Sequence, residues 1–426
     1  MLLNLREVIG GIGMRATKYF HWTRQLFFIA LLVIIVSLTG CWSAKEVSDL
    51  AVVNVLGIDE NDTGQVEITA VIVKPIMLFA ETAIGGDQES KFLIATATGK
   101  SIFEAMGQLS RSVPENIYWG HLDVIVFGER AARERMVSSL DFFRREHDFR
   151  PNIQLLVTRE TAEKLIKTQP QLNMSLGIEI NELIEMNRFA ATGMVKDLSQ
   201  FLKSLSNSAE DPFTGVISSA EKQGLKVEKI NKETKNQQDI PELLNLKGTA
   251  VFKEGRLAGF LDERQTRGLL WIKGKLENEV VVLNCGGNDK GTISLKVKRS
   301  QAELSPQLSN GTVKMTVRIE TDAEIGEMTC TDLNINTDQI SQFNKQLEDL
   351  IQQEVSSVFD IAKNEWQTDI FGFGQALNRK YAKHWQQIAP QWRNGLLKDM
   401  QMELKPSANI SHYGLLKNPS KADESR

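Results

Sequence analysis

The stretch VKMTVRIETDAEI, residues 313–325, alternates two kinds of side chain along its whole length. Its odd-numbered positions carry Val, Met, Val, Ile, Thr, Ala and Ile, while its even-numbered positions carry Lys, Thr, Arg, Glu, Asp and Glu. Because successive side chains of a β-strand point to opposite faces, one face of this strand would be buried and the other would meet water. The stretch therefore predicts a long strand in a sheet that is covered on one side.

The sequence after this strand predicts the element that covers it. From about Asp338 to Trp366, apolar residues recur at spacings of three, four and seven, which is typical of an amphipathic helix. The strand and the helix each need an apolar partner face, so we expect them to pack on each other. Further strands are predicted at Glu279–Leu283, at Thr292–Lys298 and near Met400–Leu404. The C-terminal third is thus predicted to be a meander sheet with a long helix.

Strands and helices alternate in the N-terminal part of the chain. Leu50–Ile58, Leu122–Phe127 and Ile153–Val157 are short runs of mostly apolar, β-branched residues, which predict buried strands. Between the first two runs, Ser101 is followed three residues later by Glu104, the pattern of a capping box at a helix N-terminus. This order of elements predicts a sheet covered by helices, and the fold class of the whole chain is predicted to be α+β.

The composition limits the classes of function. The chain of 426 residues is 42% hydrophobic and 24% charged, as ordinary globular proteins are. Its formal charge of −4, without a basic stripe, argues against nucleic acid as a partner. No apolar run after Cys41 approaches the ~20 residues that a membrane-spanning helix needs. The histidines that follow Cys41 are isolated and show no metal-ligand spacing, so we expect no metal and no cofactor.

The N-terminal residues have the pattern of a lipoprotein signal peptide. Arg6, Arg15, Lys18 and Arg24 precede the apolar run 26–38, which as a helix would be about 20 Å long and shorter than the ~30 Å hydrocarbon core. The run ends in Leu38-Thr39-Gly40-Cys41, a lipobox in which small residues stand directly before a cysteine. The pattern predicts transfer of diacylglycerol to the Cys41 sulfur and cleavage between Gly40 and Cys41.

Other interpretations of the N-terminal residues stay open at this stage. An ordinary signal anchor or a buried helix would also contain an apolar run, with an incidental cysteine at position 41. Translation from Met14 instead of Met1 would give a leader of more usual length. Two acyl chains on Cys41 would supply the two hydrophobic signals that stable membrane attachment requires.

Cys285 and Cys330 are the cysteines that remain after Cys41. A compartment outside the cytoplasm would permit a disulfide between them. Both residues stand in strand-like sequence, and buried free thiols are an equal alternative.

A search for reactive motifs gives a negative result. The sequence contains no HExxH, no G-x-S-x-G, no P-loop and no C-x-x-C. The segment Phe371–Gly374 resembles a Gly-x-Gly element but lacks the third glycine and follows a helix, so we interpret it as a chain reversal whose Phe rings pack on the core. The charged cluster Arg144–Asp148 is interpreted as a solvated helix end, with a partner contact as the alternative. We therefore expect no catalytic residues.

In these landmarks the chain resembles the Ger(x)C family, the lipoprotein C subunits of nutrient germinant receptors in spore-forming bacteria. The resemblance extends over nearly the whole chain after the leader. It rests on the lipobox followed by six blocks in order, which are EVSDLAVVNVLGID (46–59), GKSIFEA (99–105), YWGHLDVIVFGE (118–129), LDFFRREHDFRPNI (140–153), LKGTAVFKEGRLAGFLDERQTRGLLWIKG (246–274) and DIFGFGQALNRKYAKHW (369–385).

The resemblance implies three mixed α/β domains in tandem and no catalytic activity. It also implies anchorage to the outer face of the inner spore membrane, beside two integral-membrane receptor subunits, with direct nutrient binding by this chain doubtful. The expected organisation is a signal peptide at 1–40, an N-terminal domain at 41–185, a middle domain at 186–275, a C-terminal domain at 276–412 and a disordered tail at 413–426.

Two other classes of function remain as alternatives. A substrate-binding lipoprotein of a transporter would need two lobes around a deep cleft. A lipid-anchored envelope hydrolase would need acid, base or nucleophilic groups that converge in a pocket. Both require side chains to come together in space, which one sequence does not show.

Overall fold

A computed structural model gives the three-dimensional structure, which describes residues 27–31, 50–73, 92–167, 175–190, 193–220, 243–285, 291–309, 311–330 and 337–412. The chain divides into two units, Met1–Leu50 and Ala51–Arg426. In the first unit, residues 27–31 are helical. The lipobox with Gly40 and Cys41, the alternative start at Met14 and the tail 413–426 lie outside the described residues.

The strands of the described residues form two sheets, called here the larger and the smaller sheet. The strands of the larger sheet are β1 (Leu50–Glu60), β2 (Val66–Val73), β3 (Phe92–Gly99), β4 (Asn116–Tyr118), β5 (Val124–Gly128), β6 (Gln154–Thr158), β7 (Lys196–Asp197), β8 (Phe213–Ala220), β9 (Leu243–Lys253) and β10 (Arg256–Leu261). Those of the smaller sheet are β11 (Val280–Asn284), β12 (Thr292–Ser309), β13 (Thr312–Met328) and β14 (Gln401–His412).

The helices of the described second unit follow the same order along the chain. They are α1 (Ile102–Ser112), α2 (Glu129–Glu134), α3 (Met136–Arg145), α4 (Ala162–Ile166), α5 (Leu176–Ala190), α6 (Leu198–Leu205), α7 (Glu263–Lys273), α8 (Thr337–Asp360), α9 (Phe373–Lys380), α10 (Trp385–Gln391) and α11 (Leu397–Asp399). A π-helical turn, Ile361–Trp366, continues α8, and another, Trp392–Leu396, joins α10 to α11.

The larger sheet has a parallel centre and antiparallel edges. Its order is β10-β9-β8-β6-β5-β1-β2-β3, in which β1, β5, β6 and β8 run parallel to their neighbours in the centre. Helices cover both faces, as a parallel sheet requires. Helices α1, α2, α3 and α6 contribute to the apolar core on one face, and α4 and α5 to that on the other.

The larger sheet includes strands from both of the first two predicted domains. Strand β6 belongs to the range 41–185, and its parallel neighbour β8 belongs to the range 186–275. The predicted boundary at residue 185 therefore lies between strands of one sheet. The mixed α and β content agrees with the predicted α+β class, whereas the division into three domains stays a prediction.

The smaller sheet confirms the pattern of the stretch 313–325. Val313, Met315, Val317 and Ile319 are fully buried and belong to the core that α8 covers. Phe343, Leu347, Ile351, Val355 and Val358 of that helix are at most 2% exposed and belong to the same core. Strand and helix therefore bury each other, as their periodicities predict.

Strand β12 is longer than the sequence predicts. It runs to Ser309 and not to Lys298, and Pro306 lies within it, opposite Met315 of β13. Strand β11 pairs only with Thr292–Lys296, so the second half of β12 is an edge. A proline without an N–H group is tolerated at an edge, where no neighbour accepts that hydrogen bond.

The two sheets share one apolar core. Phe213, Val251 and Leu261 of the larger sheet belong to the same buried cluster as the inner face of the smaller sheet. Helix α7 follows β10 and lies between them, with Asp262 and Gln265 forming its capping box.

Helix α7 approaches α8 very closely. A Cβ atom at Gly268 would lie 2.4 Å from the main-chain oxygen of Glu354 in α8. Glu354 is only 6% exposed, and its carboxylate accepts hydrogen bonds from the guanidinium of Arg267 and from Nε1 of Trp271. The absence of a side chain at Gly268 and this buried ion pair together hold α7 on α8.

Candidate functional site: a carboxylate junction between the sheets

Some of the residues singled out from the sequence lie within the described part of the structure, and others do not. Gly40 and Cys41 lie outside the described residues, so lipidation and cleavage stay predictions. His121, His147 and His384 are exposed and stand on separate segments. Among the described residues, no group of three or more His, Cys, Asp or Glu side chains could hold a metal ion.

The cysteines left open by the sequence form a disulfide. Cys285 and Cys330 are joined with their Cα atoms 5.9 Å apart. Cys285 directly follows β11, and Cys330 comes two residues after the end of β13. Strands β11 and β13 lie on either side of β12, so the disulfide joins their C-terminal ends across that strand. A disulfide is typical of proteins that fold outside a reducing cytoplasm.

The centre of the candidate site is Asp369, which lies in the segment between α8 and α9. Its side chain is fully enclosed, with 2% of the residue exposed. Oδ1 accepts hydrogen bonds from the amides of Phe371, Gly372 and Phe373 at 3.2, 2.9 and 3.1 Å. Oδ2 accepts from the amide of Gly374 at 2.7 Å and from Nε1 of Trp392 at 3.3 Å.

The local sequence explains why Asp369 binds these amides. The first amides of a helix have no partner within the helix, and Asp369 satisfies those at the start of α9. Gly372 has φ 83°, a left-handed conformation that a side chain would strain. Phe371 and Phe373 are 2% and 0% exposed, and their rings stack with centroids 5.0 Å apart. The chain reversal predicted for Phe371–Gly374, with its Phe rings in the core, is confirmed.

A second buried acid, Asp211, joins this turn to the larger sheet. Asp211 lies just before β8 and is 3% exposed. Its Oδ2 accepts from the amide of Asp369 at 2.8 Å, while its own amide donates to the main-chain oxygen of Asp369, also at 2.8 Å. Its Oδ1 lies 3.2 Å from Nη2 of Arg393, which also donates to the main-chain oxygen of Asn207.

Glu210 brings in a third element, the end of α7. Its Oε1 lies 2.6 Å from Nζ of Lys273, and its Oε2 accepts from Nε2 of Gln375 in α9. The acids Glu210, Asp211 and Asp369 with the bases Lys273 and Arg393 are called the carboxylate junction below. The junction connects the loop before β8, helix α7 and the turn before α9.

Burial perturbs both aspartates of the junction. It raises the pKa of Asp369 to about 6, although the Gly374 amide and the Lys273 ammonium act in the opposite direction. Burial also raises the pKa of Asp211, against the main-chain N–H of Asp369 and the Arg393 guanidinium, which lower it. The Asp211 carboxylate is also close enough to disfavour ionisation of Asp369. The junction can therefore take up a proton in mildly acidic solution.

A polar cleft of about 400 Å³ lies beside the junction. Asp211 and Arg393 line it together with Lys253, Glu254, Gln367 and Lys398. Asp369 is not among the lining residues, since both of its oxygens are directed at N–H groups. The arrangement at Asp369 therefore positions the main chain and does not present an acid to the cleft.

Sequence reasoning missed the pairing of Asp211 with Asp369, because the two residues are 158 positions apart and neither sequence segment points to the other. A signal was present in the segment 369–374, where an aspartate stands shortly before a glycine-containing turn and a helix start, the setting in which Asp side chains bind main-chain amides.

Family comparisons cover most of the chain. The family described as "Spore germination protein N-terminal domain" matches residues 43–219, and the family "Spore germination B3/GerAC like, C-terminal" matches residues 247–414. The first segment begins before β1 and ends within β8, and the second begins within β9 and extends past the end of β14. Both halves of the carboxylate junction therefore lie within matched segments.

Curated relatives match the chain over almost their full lengths. The chain is 25% identical to spore germination protein KC of Bacillus subtilis (strain 168) over 404 residues, which cover 93% of this chain and 97% of that protein. It is 23% identical to spore germination protein B3 of the same organism, with 86% and 92% covered.

A solved structure shows the same fold. The crystal structure of the GerBC protein superposes with a TM-score of 0.51 at 18% identity, covering 84% of this chain and 97% of that protein. Within the described part of the chain, no helix combines the length and the apolar character that crossing a bilayer requires. The matched domains, relatives and fold agree on one assignment, and the chain belongs to the Ger(x)C family of spore germination proteins.

Proposed function

We propose that this protein is a membrane-anchored, non-catalytic lipoprotein subunit of a spore nutrient germinant receptor. The observation that carries the proposal is the combination of a lipobox at Leu38–Cys41 with two germination domains that together match residues 43–219 and 247–414. The matched segments begin two residues after Cys41, so the anchor would directly precede the folded domains.

The lipid anchor determines where the protein acts in this proposal. Cleavage between Gly40 and Cys41 leaves Cys41 as the first residue, with diacylglycerol on its sulfur. The folded part then lies on the outer face of the inner spore membrane, beside the two integral-membrane subunits of the receptor. The disulfide between Cys285 and Cys330 supports this side of the membrane, because disulfides persist outside reducing compartments.

The alternatives receive less support. The descriptions of the matched families and the names of the relatives refer to germination, and neither transport nor hydrolysis appears in them. The buried carboxylates of the junction bind main-chain amides, so they support a positioning role more than acid–base chemistry.

The test replaces the anchoring residue in the native organism. In Cys41→Ala spores we expect an unlipidated precursor, loss of the protein from the membrane fraction and loss of the nutrient response, while germination with calcium dipicolinate stays normal. Ser43→Ala is the matched control, since it changes a neighbour of Cys41 outside the lipobox.

Two results would contradict different parts of the proposal. A normal nutrient response with abundant unlipidated protein would disprove anchoring as a requirement. A normal response to every nutrient after deletion of the whole chain would disprove the role in the receptor itself.

A further inference from the structure

A groove lies among the helices that cover one face of the larger sheet, at the C-terminal end of α3. The groove has a volume of about 560 Å³ and lies between the segment 143–151 and helix α6. Phe143, Phe149, Leu198 and Leu202 form its apolar floor, and Phe149 and Leu202 are only partly buried. This groove, called the α3 groove, adjoins the charged cluster Arg144–Asp148.

The α3 groove is basic although the chain is acidic. Its lining includes the cations Arg144, Arg145 and Lys203 against one acid, Glu146, whereas the whole chain has a formal charge of −4. Arg145 forms an ion pair with Asp141 at 2.8 Å. In the described part of the chain, neither Arg144 nor Lys203 has a carboxylate within ion-pair distance. Arg144 and Lys203 are thus exposed cations in the groove lining that have no ion-pair partner among the described residues.

Aromatic side chains extend the floor of the groove over the neighbouring surface. The ring of Phe149 lies 5.9 Å from that of Phe142, which in turn lies 6.2 Å from that of Phe103, measured between centroids. Phe103 is 68% exposed, which is unusual for a side chain of this size. Exposed aromatic residues next to arginine are the composition that distinguishes interfaces from the rest of a protein surface.

We infer that the α3 groove is the docking surface for an acidic, amphipathic polypeptide segment of a membrane-bound partner subunit, and this inference rests on the proposed function. The uncompensated cations at the rim select an acidic occupant, and the apolar floor selects one with aromatic or branched aliphatic side chains. The groove is concave, so it accepts a chain segment better than the flat surface of a bilayer.

This assignment gives the cluster Arg144–Asp148 a role beyond that of a solvated helix end. The cluster includes the last two residues of α3, Arg144 and Arg145, and the main chain leaves the helix at Glu146 in an extended conformation. Phe149 turns back to pack on Phe143, with ring centroids 4.8 Å apart. The charged residues between these rings are therefore held at the mouth of the groove by packing on both sides.

The experiment measures assembly of the intact receptor. The lipidated full chain is expressed with its two membrane subunits, purified in detergent through a tag on the chain, and the membrane subunits recovered per chain are quantified. The double variant Arg144→Glu/Lys203→Glu should recover at least tenfold less of one subunit than the wild type, because like charges across an interface repel. Phe103→Ala, which removes an exposed side chain and so spares the core, should lower recovery several-fold.

A matched control reverses two exposed cations elsewhere. Arg264→Glu/Lys383→Glu makes the same change in net charge outside the groove and should recover the wild-type amount. Circular dichroism and thermal unfolding confirm that each variant is folded. Wild-type recovery by the groove variant would overturn the inference while leaving the receptor assignment intact, whereas failure of the wild type to recover either subunit would overturn both.

A second measurement separates a protein partner from the membrane. The unlipidated chain is sedimented with vesicles of phosphatidylglycerol and with vesicles of phosphatidylcholine. If Arg144→Glu/Lys203→Glu abolishes binding to the anionic vesicles but leaves subunit recovery unchanged, the groove faces lipid and the inference is wrong. Equal sedimentation of wild type and variant, together with reduced subunit recovery, supports the polypeptide partner.

Discussion

Replacing Asp369 by asparagine tests the carboxylate junction most directly. Asparagine keeps one oxygen, which can still accept from the three amides that Oδ1 binds. The other position becomes an NH₂ group, which faces the N–H groups of Gly374 and Trp392. Two buried donors then lose their acceptor and meet a third donor. We therefore expect Asp369→Asn to fold less stably than the wild type at neutral pH.

The magnitude follows from the number of lost bonds. A buried donor left without a partner costs about 1–3 kcal/mol, so two of them should lower the free energy of unfolding by about 2–6 kcal/mol at pH 7.5. The wild type at that pH already carries the cost of a buried charge, which the neutral asparagine does not. For this reason we expect a value near the lower end of that range.

The pH dependence adds a second, independent quantity. The pKa of Asp369 is raised from 3.8 to about 6 in the folded protein, so folding takes up a proton between these values. The stabilisation is fully present below pH 3.8 and is lost as the pH rises through about 6. At pH 5 it amounts to about 1 kcal/mol relative to pH 7.5, from the linkage relation. The asparagine variant lacks this contribution, so its deficit should be about 1 kcal/mol larger at pH 5 than at pH 7.5.

Urea unfolding of the chain from Trp42 to Arg426, followed by tryptophan fluorescence at pH 5 and 7.5, measures both quantities. Asp399→Asn is the control, because Asp399 is exposed and the substitution is the same. A deficit that is equal at the two pH values would show that Asp369 does not bind a proton in this range. A variant as stable as the wild type at both values would refute the arrangement of hydrogen bonds around Asp369.

Two further predictions concern stability. Gly268→Ala should destabilise the protein by about 1–3 kcal/mol in urea unfolding, because its Cβ would lie 2.4 Å from the main-chain oxygen of Glu354. Gly107→Ala is the control, because Gly107 lies in α1 with space for a Cβ atom, and it should stabilise the protein by up to about 1 kcal/mol. Equal effects of the two substitutions would argue against close packing of α7 on α8. The double variant Cys285→Ala/Cys330→Ala should lower the free energy of unfolding by about 4 kcal/mol, from the loop-entropy relation. Urea unfolding of the wild type with and without a reductant checks this. Identical unfolding midpoints under the two conditions would mean that the disulfide does not form.

Periodic features of the sequence predicted much of the fold. The alternation at Val313–Ile319 predicts the buried face of β13, and the spacing of Phe343, Leu347 and Ile351 predicts the face of α8 that covers it. The predicted cap at Ser101 is also present, since its side chain accepts from the amide of Glu104. These features are local, so a single segment contains all the information that each prediction needs.

The remaining features depend on contacts between distant segments. Pairing of β6 with β8 across the predicted boundary at 185 has no mark in either strand. The α3 groove requires Phe149 and Leu202 to come together, although each looks like an ordinary apolar residue in its own segment. The sequence predicts the strand only to Lys298, whereas β12 continues to Ser309 through Pro306, which is tolerated there because β11 does not pair with this half of β12.

The chemistry of the junction explains why charged groups stand where apolar ones would cost less. Buried ion pairs are seldom worth their desolvation, and hydrophobic packing alone could join the two sheets. Hydrophobic packing is non-directional, however, and it does not set the rotation or the register of the packed parts. Asp369 binds four consecutive amides at 371–374, and Asp211 binds the amide of Asp369 itself, so only one position of the turn satisfies both acids. The directional bonds of the junction therefore hold the two sheets in one relative orientation, which apolar packing alone would not set.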